Sequence, residues 1–415
     1  MNILIRNIRQ LVQVREATHV YISGSAMAEL PIIENAFLYL KNGLIDSFGA
    51  MSELPSLSVD QDIDATGRLV LPAFVDSHTH LVFAATREEE FVMKIKGASY
   101  QEIAASGGGI LNSARKLQAM SEDELFNVSL PRVAELIATG TGAAEIKSGY
   151  GLTVKDELKM LRVARRLGKE TPLTVKTTFL GAHAVPKEYS KADYIKLVIE
   201  EMIPAVAEEN LADYIDVFCE DGFFTVDETI LIAESGKKFN LKPRIHANQL
   251  NRSGGLQAGV KVGAISVDHL ENMGDEEIEV LKHSNTMPTA LPGAAFFLGL
   301  PFPPARQMLT AGLPLAIASD FNPGSSPSGN MLMMISLACM KMKLTPQEAI
   351  NAATINTAYA IDLLSTHGSI TKGKEANIII TQPIPSLAYM PYRYGLNVIE
   401  TVILKGKIVQ QNPRS

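Results

Sequence analysis

Eight short apolar runs, each followed by a helical stretch or a long loop, fill the middle of this chain. They are Leu69–Val75, Gly142–Lys147, Leu173–Phe179, Ile215–Cys219, Lys242–His246, Ser266–His269, Thr286–Ala290 and Leu315–Ser319. Helical patterning separates several of them, as in Asp156–Leu167, Lys191–Glu208, Val226–Phe239 and Asp275–His283. Strand and helix in strict alternation predict an α/β protein with a parallel sheet, and eight repeats over ~300 residues predict a closed, TIM-like (β/α)8 barrel. The competing open, doubly wound sheet wants a Gly-x-Gly-x-x-Gly turn after an early strand, and the sequence has none. Gly107-Gly108-Gly109 follows a helical stretch and lacks the lysine–serine pair of a phosphate-binding loop, so it reads as a mobile or tightly bent loop near the barrel mouth.

The two ends of the chain resemble one another rather than the middle. Residues 1–66 carry short alternating runs at Asn2–Ile8, His19–Ile22 and Ala36–Ile45, and Asn42-Gly43 marks a hairpin turn within the last. Residues 369–415 repeat the style at Asn377–Ile380 and Val398–Val409. The expected organisation is one small β-sandwich built from residues 1–66 and 369–415, flanking a barrel over residues 67–368. At 415 residues the chain has length enough for both. A net charge of −7 without a basic run argues against a nucleic-acid surface, though one local arginine can still hold a small anionic substrate. Two cysteines cannot build a disulfide framework, the first residues lack a signal-peptide pattern, and no run of 18 apolar residues occurs. A cytoplasmic protein without a membrane span is expected.

The chemistry gathers at the strand ends. Of eight histidines, His19, His283 and His367 sit in a terminal strand, a helix end and a polar loop. The other five, His78, His80, His183, His246 and His269, lie at or just beyond the C-terminal ends of expected strands, as does Asp320. In a barrel these ends converge on one mouth. His78 and His80 are i and i+2 at the end of a strand, so both imidazoles project from the same face. Imidazoles with a carboxylate suit zinc or iron and not a calcium-type site of oxygens. An ion so held, with an open position for water, makes a hydrolytic centre.

The order His-x-His after the first strand, His after the fifth and sixth, and Asp after the eighth is similar to that of the amidohydrolase superfamily. Within it, the chain resembles the imidazolonepropionase family over nearly its full length. The resemblance rests on His78-Thr79-His80-Leu81-Val82-Phe83-Ala84 with Arg87, Ser106-Gly107-Gly108-Gly109-Ile110, Glu145-Ile146-Lys147-Ser148-Gly149-Tyr150-Gly151-Leu152, Thr178–His183 and Ala318–Ser325. It implies hydrolysis of 4-imidazolone-5-propanoate to N-formimidoyl-L-glutamate, in histidine degradation, by a homodimer. It also implies His78, His80, His246 and Asp320 as ligands of one Zn2+ or Fe2+/Fe3+ ion per subunit. The single ion follows from the fourth strand, which ends Val217-Phe218-Cys219-Glu220 and lacks the lysine of two-metal members. His269 and Asp320 take catalytic roles in this reading. Arg87, Tyr150, His183, Asn322, Gly324 and Ser325 take the substrate, Arg87 offering a bidentate fork to its carboxylate. The flanking glycines place Tyr150 on an exposed loop tip. Gln249 stands where many members have glutamate; it can hydrogen-bond the substrate but cannot shuttle a proton. That counts against the alternative activity, a mononuclear aminohydrolase of a purine or pyrimidine.

Overall fold

In the computed structural model, residues 1–16, 20–98 and 108–412 are described; His19 and Gly107 lie outside them. Strands β1 (Asn2–Val12), β2 (Ile32–Lys41), β3 (Leu44–Ala50), β4 (Gln61–Asp64) and β5 (Leu69–Pro72) come first. The central strands are β6 (Phe74–Thr79), β7 (Thr141–Lys147), β8 (Thr174–Ala182), β9 (Tyr214–Cys219), β10 (Lys242–Ala247), β11 (Ser266–His269), β12 (Met287–Ala290) and β13 (Ala316–Ile317). The chain closes with β14 (Ile378–Thr381), β15 (Ile399–Leu404) and β16 (Lys407–Gln411).

The two ends do join. One eight-stranded sheet runs in the order β16-β15-β14-β5-β1-β2-β3, with β4 beside β1. One face of it packs Ile3, Ile5, Leu38, Val70, Ile378 and Ile403 into a single cluster. Asn42 and Gly43 take φ of 52° and 84°, the left-handed pair that a two-residue hairpin requires. The apolar run Leu69–Val75, read from the sequence as one barrel strand, is two strands of different sheets. The switch falls at Ala73: its N–H bonds Asn377 of the terminal sheet, while that of Phe74 bonds Gly140 beside the barrel. Continuous apolarity hides the break, because both strands are buried on both faces.

Strands β6 to β13 form an all-parallel sheet with each strand beside its sequence neighbour. The seam between first and last strands is bridged at Thr79 and Phe321, with Asp320 N–H bonding His78 O (3.0 Å) and His80 N–H bonding Phe321 O (2.9 Å). The backbone that closes the barrel thus also aligns His78, His80 and Asp320. The expected helices are present, with Lys191–Glu208 broken by a π turn at Val198–Met202. Capping boxes at Ser121/Glu124, Thr225/Glu228 and Thr345/Glu348 fix the starts of three helices.

Candidate active site

The five strand-end histidines and Asp320 come together at the barrel mouth, all at least nine-tenths buried. Nε2 of His80 and His246 stand 3.4 Å apart, and Asp320 Oδ1 is 3.5 Å from His78 Nε2 and 3.6 Å from His80 Nε2. Two donor sets meet the spacing of a metal site, His78/His80/His246 and His78/His269/Asp320. Donors ~2.0–2.1 Å from one tetrahedral ion stand ~3.3 Å from each other, which is close to this spread. His78 Nε2 is buried with no hydrogen-bond partner among the described residues, an orphan that a cation would satisfy.

Carboxylates orient the rings from behind. His78 Nδ1–H donates to Asp268 (2.7 Å) and His246 Nδ1–H to Asp216 (2.9 Å), leaving Nε2 as the lone pair in both, and His269 Nδ1–H donates to Glu271 (3.3 Å). Burial, reinforced by Lys147 and the other imidazoles, holds His78 well below the usual imidazole range. Burial with His183 and His246 does the same to His80. Both are therefore neutral, the form that binds metal. For His269, burial works downward but Glu271, Asp320 and Asp268 outweigh it, and its pKa is raised. Burial lifts the Asp320 carboxyl to about 6, against the pull of His269, Ser325 and Asn322. The backbone at His269, Leu270 and Asp320 sits at positive φ (90°, 69° and 54°), strain of the kind concentrated at functional sites.

Above the cluster opens a cavity of about 850 Å³, lined by His80, His246, His269 and Asp320 together with Arg87, Tyr150, His183, Gln249, Asn322, Gly324 and Ser325. Arg87 donates through Nε to Ser113 Oγ (2.9 Å), and its Nη2 is buried without a partner among the described residues. A Cβ on Gly324 would collide with Arg87 Nη1, so glycine there makes room for the guanidinium. Asn322 and Ser325 line the cavity and also brace Asp320: Ser325 Oγ–H donates to its Oδ2 (3.0 Å), and Asn322 Nδ2–H to its carbonyl (2.6 Å). Gln249 is 8% exposed at the cavity wall. Lys94, which the sequence reading passed over, lines the same cavity and donates to Gly324 O (3.2 Å). Its place in a helix led by Glu88, Glu89 and Glu90 gave it the pattern of a solvated surface lysine.

Tyr150 is not on an exposed tip: it is 3% exposed. The cause is Glu157, fully buried, which accepts the N–H groups of Gly149 (3.0 Å), Gly151 (2.8 Å) and Leu152 (2.8 Å) and draws the loop inward. Gly149 O in turn accepts from His183 Nδ1–H (2.9 Å). Gly149 has φ of 108°, and a Cβ there would lie 2.9 Å from that nitrogen. Burial, with His246, lowers His183 to about 3, so its ring stays neutral with the lone pair on Nε2. Glu157→Gln is expected to cost about 1.5–3 kcal/mol of stability and to raise KM more than it lowers kcat. Melting curves and steady-state kinetics check both; an unchanged KM would detach Glu157 from substrate positioning. Of the remaining histidines, His283 is exposed, whereas His367, placed in a polar loop by its sequence context, is 3% exposed and bonded to Asn377 (3.0 Å).

The sequence profile of the amidohydrolase family matches residues 69–409. With that match, the barrel and its strand-end donors define a metal-dependent hydrolase. An imidazolonepropionase of Flavobacterium johnsoniae is 57% identical over 98% of this chain and 99% of its own length. One from Christiangramia forsetii is 56% identical over 99% and 100%, and one from Geobacillus kaustophilus 41% identical over 98% and 97%. The chain belongs to the imidazolonepropionase family of amidohydrolases. Among solved structures, Escherichia coli guanine deaminase superposes with a TM-score of 0.75 over 100% of both chains at 14% identity. A zinc-bound adenosine deaminase of Xanthomonas campestris gives 0.72 over 98% of this chain and 92% of its own at 14% identity; both speak for the fold alone.

Proposed function

We propose that this protein hydrolyses 4-imidazolone-5-propanoate to N-formimidoyl-L-glutamate, a step of histidine degradation. The observation that carries this reading is one cavity with a cluster of metal-type donors at its floor and, on its wall, an arginine whose Nη2 has no partner among the described residues. Full-length identity to the imidazolonepropionases supports it. His78, His80, His246 and Asp320 hold one zinc or iron ion per subunit in this reading. The metal supplies Lewis acidity and brings the pKa of a water towards ~7.

The chain's own residues do the rest. Asp320 takes a proton from the attacking water and delivers it to the ring nitrogen that leaves when the C–N bond breaks. Ser325 keeps its carboxylate aimed. His269, oriented through Nδ1–H by Glu271 and with its pKa raised, offers Nε2–H to the charge that grows on the carbonyl oxygen. Arg87 binds the propanoate carboxylate, and Tyr150 and His183 position the ring; such orientation removes several kcal/mol of barrier. A homodimer in the cytoplasm accompanies this reading, supported by the family resemblance and by the scarcity of cysteine. No helix among the described residues is long and apolar enough to cross a membrane.

Freshly made imidazolone propionate should lose its ultraviolet absorbance on addition of the protein, with no release of ammonia. Ammonia in step with turnover would instead support a deaminase, the reading that Gln249 disfavours. Chelation is expected to abolish turnover, and zinc or ferrous iron to restore it; activity that survives metal depletion removes the ion from the reaction.

A further inference from the structure

Beneath the ligands lies a layer of charge where a barrel ordinarily packs apolar side chains. Glu145, Lys147, Asp216, Arg244 and Asp268 are each no more than 1% exposed. Lys147 Nζ is at the centre. It donates to Glu145 (2.9 Å) and to Asp216 (2.9 Å) and lies 3.9 Å from Asp268. Asp216 Oδ2, the oxygen that Lys147 grips, is also the acceptor for His246 Nδ1–H, and Asp268 Oδ2 is the acceptor for His78 Nδ1–H and for Arg244. Arg244 is fixed from the far side by Ser77 O (2.8 Å) and Ala360 O (2.6 Å). Lys147 itself does not line the cavity.

We propose that Lys147 is a positioning residue for the metal: one ammonium holds Asp216 in place behind His246 and adds its charge beside Asp268 behind His78. The proposal rests on the metal reading above. A buried carboxylate that loses its cation loses the contact that aims it, and then no longer fixes the imidazole it faces. Lysine suits the place because its point charge carries three donors, two of them committed to carboxylates on different strands. It stands in the run Glu145–Leu152, of which only Tyr150 has a direct part in the cavity. Its partners Asp216 and Glu145 lie on strands β9 and β7, so the lysine ties β7 to the strand beside His246.

The test is zinc affinity of full-length protein freed of metal, measured by competition with a chromophoric chelator, with melting of the metal-free forms recorded alongside. Wild type is expected to bind one zinc; failure of wild type to bind would overturn the metal reading itself. Lys147→Met and Asp216→Asn are each expected to weaken binding by about tenfold or more, the range seen when groups behind a ligand are lost. The double variant is expected to bind no worse than the weaker single within about threefold, because both changes break one connection. Lys147→Met protein that melts lower yet binds zinc as wild type does overturns the proposal, as do losses that multiply in the double variant. If the Lys147 variants do not fold, Glu145→Gln decides: it releases one side of the lysine without touching a carboxylate that faces a ligand, and unchanged zinc affinity there overturns the proposal.

Discussion

An Asp320→Asn protein is expected to fold and to bind its metal, yet to turn over at least ~10³-fold more slowly, within the range ascribed to a lost general acid–base. Folding should survive because Asp320 sits at φ of 54°, a left-handed conformation that asparagine tolerates and most residues do not. The change keeps one side-chain oxygen for the cation, turns the atom facing Ser325 Oγ from an acceptor into an amide donor, and removes the charge and the capacity to take and return a proton. The carboxyl is suited to that duty. Burial raises its pKa to about 6 in the metal-free protein, and a carboxyl of raised proton affinity is one that can take a proton and pass it on. Asp320→Ala removes the oxygen as well, and should abolish turnover with a loss of bound metal. The measurements are kcat from the decay of substrate absorbance and metal content per chain. Near-normal kcat in an asparagine variant that retains its metal would move the base elsewhere, His269 being the nearest titratable group able to serve.

Much of this site is legible in the chain because polar ligands interrupt apolar strands at their ends, where sequence patterning is sharp. His78, His183, His246, His269 and Asp320 each follow or end such a run, and closure of the barrel brings them together. Asn42-Gly43 is legible for a like reason: a left-handed turn leaves few residue choices. What escapes the sequence depends on contacts between distant segments. Nothing local distinguishes Leu69–Pro72 from Phe74–Thr79, because the break at Ala73 is set by two different neighbouring strands. Flanking glycines make Tyr150 look exposed, but a carboxylate on the next helix pulls the loop inward. Lys147 and Asp216 read as isolated charges within apolar strands, and only the register of the sheet reveals them as a pair. For that pair a signal is available: an ionised residue inside a strand too apolar to have a wet face needs a buried partner.

Arg87→Met is expected to raise KM about 10²-fold and to leave kcat within a few-fold of wild type. Arg87 Nη2 is buried and has no acceptor among the described residues. A carboxylate supplies one, and hydrogen bonds to charged groups are worth about 1.5–3 kcal/mol, or roughly one to two powers of ten in binding. That contact forms at the propanoate end of the substrate, away from the C–N bond that breaks. It therefore holds equally in the ground and transition states and is felt in KM. Arg87→Lys should recover only part of the loss, since lysine presents a point charge where the fork of arginine matches two oxygens. Lys94, half-buried with its pKa lowered by burial despite Glu90, adds a second cation on the same wall, and Lys94→Met should raise KM by a smaller factor. The decisive comparison uses the carboxamide analogue of the substrate. Wild type should favour the carboxylate by about the factor that Arg87→Met loses, and the variant should treat the two nearly alike. If the variant still discriminates as wild type does, the carboxylate is held elsewhere in the cavity, and Arg87 is there to support Ser113.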